Sequence, residues 1–541
     1  MKCAATAIAA ALVVGLPVVA LAQAGVIVDP ENPGAGVIVD PENPGAGVIV
    51  DPENPGTGGT ATRPASRPTP STAPRVVFRG EGLLGVAVDT AHDRAGEDTF
   101  ETLSQLGMRA RVTISERWSA TLEGRLSWWT TVGPANENDP ALALDTGAWQ
   151  GRVEPALRDF FVAGRRGRWS WRLGQLVVAW GSSDIVNPAN VVNPRDLRVG
   201  VLSDPDDATI PGPAVDVTVA LPSLVGQFVV VPFFVPDRLP IYGSDAALLR
   251  ADSPLGPSVP TDLVAGLIDP SLEDVLQPAV QQTHLPEEHP GNASVGTRWT
   301  WTWRGLDLSA GAFYGFDRQP ALDVAPSVRA WLDTTDERDD LFGLDAETLD
   351  VVADVQAGET LVDARYERRL DFVLDGVRYF GPIGVRFDAV YTPQRTISVD
   401  GLTSVRRPRW AGTLGVSYES ATGDFVVSAE GFVDQTRMRT SDPDATLGLD
   451  DLVGVALGTT LSADAVVSSE SAIQPLELTF AALTLPREGD LVLRPSVGWA
   501  FNEQTTLSAG AVFFHSTSTS VSPADLYDAN DAVFVRLDSA F

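Results

Sequence analysis

Asn530-Asp531-Ala532-Val533-Phe534-Val535-Arg536-Leu537-Asp538-Ser539-Ala540-Phe541 is the stretch on which the fold turns. Successive side chains of an extended chain point to opposite faces. Val533, Val535, Leu537 and Phe541 therefore share one side, and Phe534, Arg536, Asp538 and Ala540 share the other. One face is oily and the other charged. A strand of this kind suits a wall with hydrocarbon outside and a polar interior.

The same two-residue period runs through the chain from Arg75 onward. Trp118, Ala120, Leu122, Leu126 and Trp128 alternate with Ser119, Thr121, Glu123, Arg125 and Ser127. Trp299, Trp301 and Trp303 alternate with Arg298, Thr300, Thr302 and Arg304. Strands are expected to begin near 76, 102, 118, 149, 168, 212, 224, 293, 305, 363, 383, 409, 424, 452, 473, 490, 505 and 530. That is 18 strands, with 16 as the fallback because the turn between 464 and 473 is indistinct. Short connections (Arg165-Arg166-Gly167, Arg304-Gly305, Gly381-Pro382) largely alternate with long ones at 132–147, 182–211, 235–291, 318–361 and 436–450. Tight turns at one end and long loops at the other are the habit of a membrane barrel.

The amino terminus supports export. Lys2, the apolar stretch Ala4 to Leu21 and Ala22-Gln23-Ala24 read as a signal peptide over 1–24. Cys3 is the sole cysteine, so no disulfide is expected in the mature chain. No later apolar run reaches the length of a spanning helix. An exported membrane protein without such helices satisfies its backbone polar groups by closing a barrel. The expected class is thus an all-β transmembrane antiparallel barrel over 75–541. Residues 25–74 read as an extended or disordered periplasmic tail. They carry three copies of an 11-residue unit starting at Gly25, Gly36 and Gly47, each with two prolines that break ladders. The repeats read either as a spacer or as a docking motif shown three times.

An aromatic carboxyl terminus on such a strand resembles the closing strand of bacterial outer-membrane β-barrels. The resemblance implies an outer-membrane location in a Gram-negative bacterium and reading of Phe541 by the barrel-insertion machinery. A second run, Leu173-Gly174-Gln175-Leu176-Val177-Val178-Ala179-Trp180-Gly181 followed by Asn187-Pro188 and Asn193-Pro194-Arg195-Asp196, is similar to functionally obscure proteobacterial porin-like barrels. It has some likeness to polysaccharide-export barrels. This resemblance implies envelope transport of a hydrophobic or anionic solute.

The formal charge of −32, from Lys+Arg 39 against Asp+Glu 71, argues against nucleic acid as partner. Inward-facing charge is concentrated in Arg109, Arg111, Glu123, Arg125, Arg152, Glu154, Arg158 and Arg172. Arginines facing acids set a field across a pore and lower the barrier for anions; the plainer reading is mutual pairing that solvates the lumen. Asn187, Asn193, Arg195 and Asp196 mark loop 182–211 either as an inward constriction or as a capping loop. Loops 235–291 and 318–361 are acidic. Oxygen clusters suit divalent cations that bridge lipopolysaccharide, but the spacing matches no defined cation loop. Pro286 between His284 and His289 forbids a helical zinc pair. No catalytic set, metal or cofactor is expected.

The sequence thus supports a channel for small polar or anionic solutes, set in lipid and lipopolysaccharide and capable of homo-oligomerisation. The competing reading is a barrel-anchored interaction protein with a plugged lumen, whose tail docks a periplasmic partner.

Overall fold

The computed structural model describes residues 75–90, 100–132, 150–197, 202, 208–238, 285–327, 330, 350, 353–354, 362–399, 403–421, 425–439, 451–462, 476–502, 504–517 and 531–541. Residues 1–74, expected to hold a signal peptide and a repeat tail, and most of the two acidic loops, His284 included, lie outside these residues. His289 is within them, and its Nδ1 accepts the N–H of Gly291 at 3.0 Å.

The chain opens with β1 (Arg75–Asp89), β2 (Phe100–Ser115), β3 (Trp118–Val132), β4 (Gln150–Arg166), β5 (Trp169–Leu176), β6 (Gly212–Leu221) and β7 (Leu224–Val231). It continues through β8 (Ser294–Trp303), β9 (Leu306–Phe316), β10 (Ala321–Val324), β11 (Val362–Arg365), β12 (Arg368–Phe380), β13 (Ile383–Val399) and β14 (Thr403–Glu419). It finishes with β15 (Phe425–Thr436), β16 (Asp451–Ser462), β17 (Leu476–Leu485), β18 (Asp490–Asn502), β19 (Thr505–Ser516) and β20 (Ala532–Ala540). All but β10 and β11 form one 18-stranded sheet. Each strand pairs antiparallel with its sequence neighbours, and β1 pairs with β20, Val86 opposite Val535, so the sheet closes. A closed antiparallel sheet leaves no unpaired edge.

The outer face is apolar. Phe78, Leu106, Trp128, Leu173, Trp303, Leu414 and Val535 are exposed, while their neighbours in each strand turn inward. Oily side chains around the outside of a closed barrel make the wall of a transmembrane protein, here of the outer membrane. At the end holding Arg75 and Ala540, most hairpins are tight, as at Arg304-Gly305, both with positive φ. The long connections are at the opposite end, apart from 463–475 between β16 and β17, and β13–β14 and β17–β18 are joined at that opposite end by only 400–402 and 486–489.

Two strand limits differ from expectation. The segment expected to enter the barrel at 363 first pairs with residues 321–324 as the separate ribbon β10–β11. The barrel strand begins only at Arg368, opposite Phe316. The strand expected near 409 begins at Thr403. Ladder pairing continues beyond the apolar stripe, with Arg406 opposite Thr396, because backbone hydrogen bonds need no oily side chain.

Candidate functional site

The chain that leaves β5 folds into the barrel, and the motif around Gly174 builds the entry. At Gly174 φ is 142°, and an added Cβ would lie 2.1 Å from the carbonyl oxygen of Phe160. Only glycine allows that approach to β4. Gln175 donates to the Leu157 carbonyl at 2.6 Å. The chain then turns away from the wall, and Val178 N–H donates to Asn193 Oδ1 at 2.7 Å. Trp180 is fully buried, edge-on to Phe313 with ring centroids 6.3 Å apart. Its Nε1 donates to Gln227 Oε1 at 3.0 Å. Gln227 donates to Asp216 at 3.0 Å, and Asp216 receives Arg172 through Nε and Nη2 at 3.1 and 2.7 Å. Gly181 takes φ 98°, where an added Cβ would meet Asn187 Oδ1 at 2.2 Å.

Phe161, Leu176, Val178, Trp180, Val191 and Phe313 share one buried cluster with Val373 and Val390 of β12 and β13. The interior of this half of the barrel is therefore a packed core.

Beyond Gly181 the segment reaches the far wall. Ser182 N–H and Oγ donate to Asp388 Oδ1 at 2.8 and 3.1 Å, and Ser183 N–H donates to Oδ2 at 3.1 Å. Asp184 N–H donates to Glu430 Oε1 at 2.7 Å; the N–H groups of Ile185 and Val186 donate to Oε2 at 3.1 and 3.0 Å. Arg386 pairs with Asp184. Further along, Leu202 lies against Gly85 of β1, and its carbonyl accepts from Arg536 of β20 at 3.3 Å.

The four polar residues expected to mark the loop hold it to itself and to the root of the next long connection. Asn187 Nδ2 donates to the Trp180 carbonyl at 2.9 Å. Asn193 Nδ2 donates to the carbonyls of Leu176 and Ile210 at 3.2 and 3.1 Å. Arg195 donates its backbone N–H to Asp237 at 2.8 Å and its Nη2 to the Asn187 carbonyl at 3.1 Å. Asp196 pairs with Arg238 at 3.3 Å. Neighbouring loop roots are tied in: Arg318 donates to the carbonyls of Val235 and Val192 at 2.6 and 2.7 Å. Burial pushes the Asp237 carboxyl up to about 6 and lowers the Arg318 guanidinium to about 10. Burial also raises Asp317, but Arg369 and Arg395 outweigh it and hold that carboxyl below its usual range.

The expected lumen residues fall into two environments. Arg109 pairs with Glu123 and with Asp159, both at 2.9 Å, and its side chain is 36% exposed. Arg125 pairs with Glu81 at 2.7 Å, and the Glu81 side chain is 56% exposed. Arg172 is only 8% exposed, sealed with Asp216 under the inserted segment. Arg111 lies opposite Thr121, and Glu154 opposite Ser127, on the inner face. The side chain of Arg152 lies outside the described residues. Asp159 escapes period-2 reading. A bulge shifts the register between Leu122 and Gly124, opposite Phe160 and Leu157. It brings Asp159 to the inner face beside Arg158, where strict alternation sends it outward. Glu430, Asp388 and Asp184 also had no local signal as partners, since their contacts join strands far apart in sequence.

A family described as "Protein of unknown function (DUF1302)" matches residues 129–432. That span runs from β3 through the inserted segment to β15. No curated protein matches. Among solved structures, the chain is similar to Pseudomonas aeruginosa OccK7 (OpdD) at 7% identity and TM-score 0.42, covering 86% of this chain and 98% of that one. It is similar to Salmonella typhi OmpF, in a complex with daunomycin, at 9% identity and TM-score 0.38, covering 86% and 97%. A trimer form of Vibrio cholerae OmpT gives 12% identity and TM-score 0.34, covering 87% and 100%.

Proposed function

Because the chain belongs to the DUF1302 family of proteins of unknown function, membership brings no activity with it, and we propose from its own residues that it is a porin-like channel for small polar or anionic solutes. The passage runs off-centre, beside the walls of β1–β4. There the inserted segment touches the inner face, among the described residues, at Leu202. The carrying observation is the partial exposure of the Arg109–Glu123–Asp159 and Arg125–Glu81 groups inside a closed wall. Charge facing a barrel interior is costly unless water reaches it. Arg109, Arg111, Arg125 and Arg158, facing Glu81, Glu123, Glu154 and Asp159, set a field across this part of the lumen that orients polar and anionic solutes. Arg172 belongs to the sealed half and contributes to the framework.

The reach of the segment, from β5 to β13–β15 and back to β1 and β20, favours a second reading, a plugged barrel serving as an envelope anchor. Refolded full-length protein in planar bilayers separates the two. Discrete conductance steps with anion preference support the channel. A heat-modifiable, folded barrel that gives no steps refutes it and leaves the anchor.

A further inference from the structure

We infer that Asp388 and Glu430 are the positioning residues of the constriction, so that two wall carboxylates, and not the inserted segment alone, set how far it reaches across the lumen. Five consecutive backbone N–H groups, from Ser182 to Val186, converge on these two side chains at 2.7 to 3.1 Å. Successive backbone donors in a turn form a concavity that favours an anion. Here the anion is supplied by the barrel itself, and each contact is a charge-assisted hydrogen bond. Asp388 and Glu430 are 2% and 1% exposed. Buried carboxylates persist only where donors satisfy them, so segment and wall depend on each other.

Smaller contacts complete the fit. Ser182 Oγ also reaches the carbonyls of Gly376 and Phe387, both at 3.0 Å. Ser183 Oγ meets Thr413 Oγ1 on the intervening strand, β14. The segment's root is held separately by the Trp180 cluster, and Leu202 is held by Arg536. Removing the two carboxylates therefore takes away the acceptors of all five backbone N–H groups, leaves the tip tied only by Arg386 to Asp184 and by the two serine hydroxyls, and leaves the root in place.

The inference deepens the channel reading, and its test has one readout that needs no conduction. Hydrogen exchange of amides 182–186 in refolded full-length protein is compared for wild type, D388A, E430A and the double variant. Exchange at these amides accelerates at least about tenfold when their acceptors go, while heat-modifiable mobility stays unchanged. Conductance rises and open-channel noise increases in the same variants. S428A, an inward-facing change on β15, leaves both readouts at wild-type values. The isosteric D388N and E430Q carry the test if the alanine variants fail to assemble, and they give the same direction with smaller size. Full protection of 182–186 in folded variants that lack both charges overturns the inference. Where the wild type conducts, so does freed exchange with unaltered conductance. A wild type that never conducts defeats the channel reading alone, since exchange still reports the clamp.

Discussion

Gly80 and Phe541 close the barrel by trading backbone hydrogen bonds, Gly80 N–H to the Phe541 carbonyl at 2.6 Å and Phe541 N–H to the Gly80 carbonyl at 2.8 Å. The aromatic ring lies where a side chain at position 80 would begin: an added Cβ there would stand 2.1 Å from the ring. Gly80→Leu must displace the ring, weakening the last rungs between β1 and β20. The yield of heat-modifiable barrel falls in refolding assays, and Gly82→Leu, whose Cβ meets nothing nearer than 4.0 Å, serves as the comparison.

Gly174→Ala is expected to be the most damaging single change near the motif. The obstacle is backbone, the Phe160 carbonyl and Phe161 Cα, and backbone paired in a barrel cannot step aside. Gly181→Ala meets only the Asn187 amide, which can rotate, so it retains strain on the order of 1–3 kcal/mol from its positive φ. Urea unfolding midpoints of the two variants should rank in that order, with Gly174→Ala lower.

Trp180→Ala empties the centre of the lumen core. Truncating a buried Trp costs about 3–5 kcal/mol, and here it also orphans Gln227 Oε1. Trp180→Phe keeps most of the volume and loses the hydrogen bond, worth about 0.5–1.5 kcal/mol. The difference between the two midpoints measures packing apart from the polar chain to Arg172.

The root of the inserted segment is expected to loosen as pH rises from 5 to 7. Asp237 has its folded pKa raised from 3.8 to about 6 by burial. A raised pKa contributes stability that is present below 3.8 and lost as pH climbs through about 6. Asp317, held low, keeps its contribution above its ordinary pKa and does not change in this window. Exchange protection of residues 195–197 should decline between pH 5 and 7, and Asp237→Asn should flatten that decline.

Arg109→Gln removes the cation shared by Glu123 and Asp159 while leaving an uncharged donor. Permeation is expected to shift toward cations by roughly severalfold, since lumen charge sets the barrier for each sign of ion. Reversal potentials across a salt gradient measure it. Arg172→Gln, in the sealed half, is expected to alter stability with little effect on selectivity.

The barrel was legible residue by residue because alternation is a local property. Trp118 to Trp128 reveal their two faces without reference to any other strand. The limits near 363 and 409 were less legible, since the β10–β11 ribbon and the extension of β14 depend on ladder bonds that side-chain pattern does not encode. Asp159 was missed for a similar reason: one bulge resets the phase of β4. The run around Gly174 stood out in the sequence as a likeness to porin-like barrels, but its partners, Phe160 and Gln227, were not apparent in it.

By itself, then, the order of residues determined a closed antiparallel wall of about 18 strands, oily outside and charged within, because hydrocarbon on one side and water on the other impose a two-residue rhythm on each strand. Only the tertiary structure decided where the chain after Gly181 goes. That path depends on Asp388 and Glu430 meeting Ser182 to Val186 across the barrel, and hydrogen bonds between groups some two hundred residues apart leave no periodic trace along the chain.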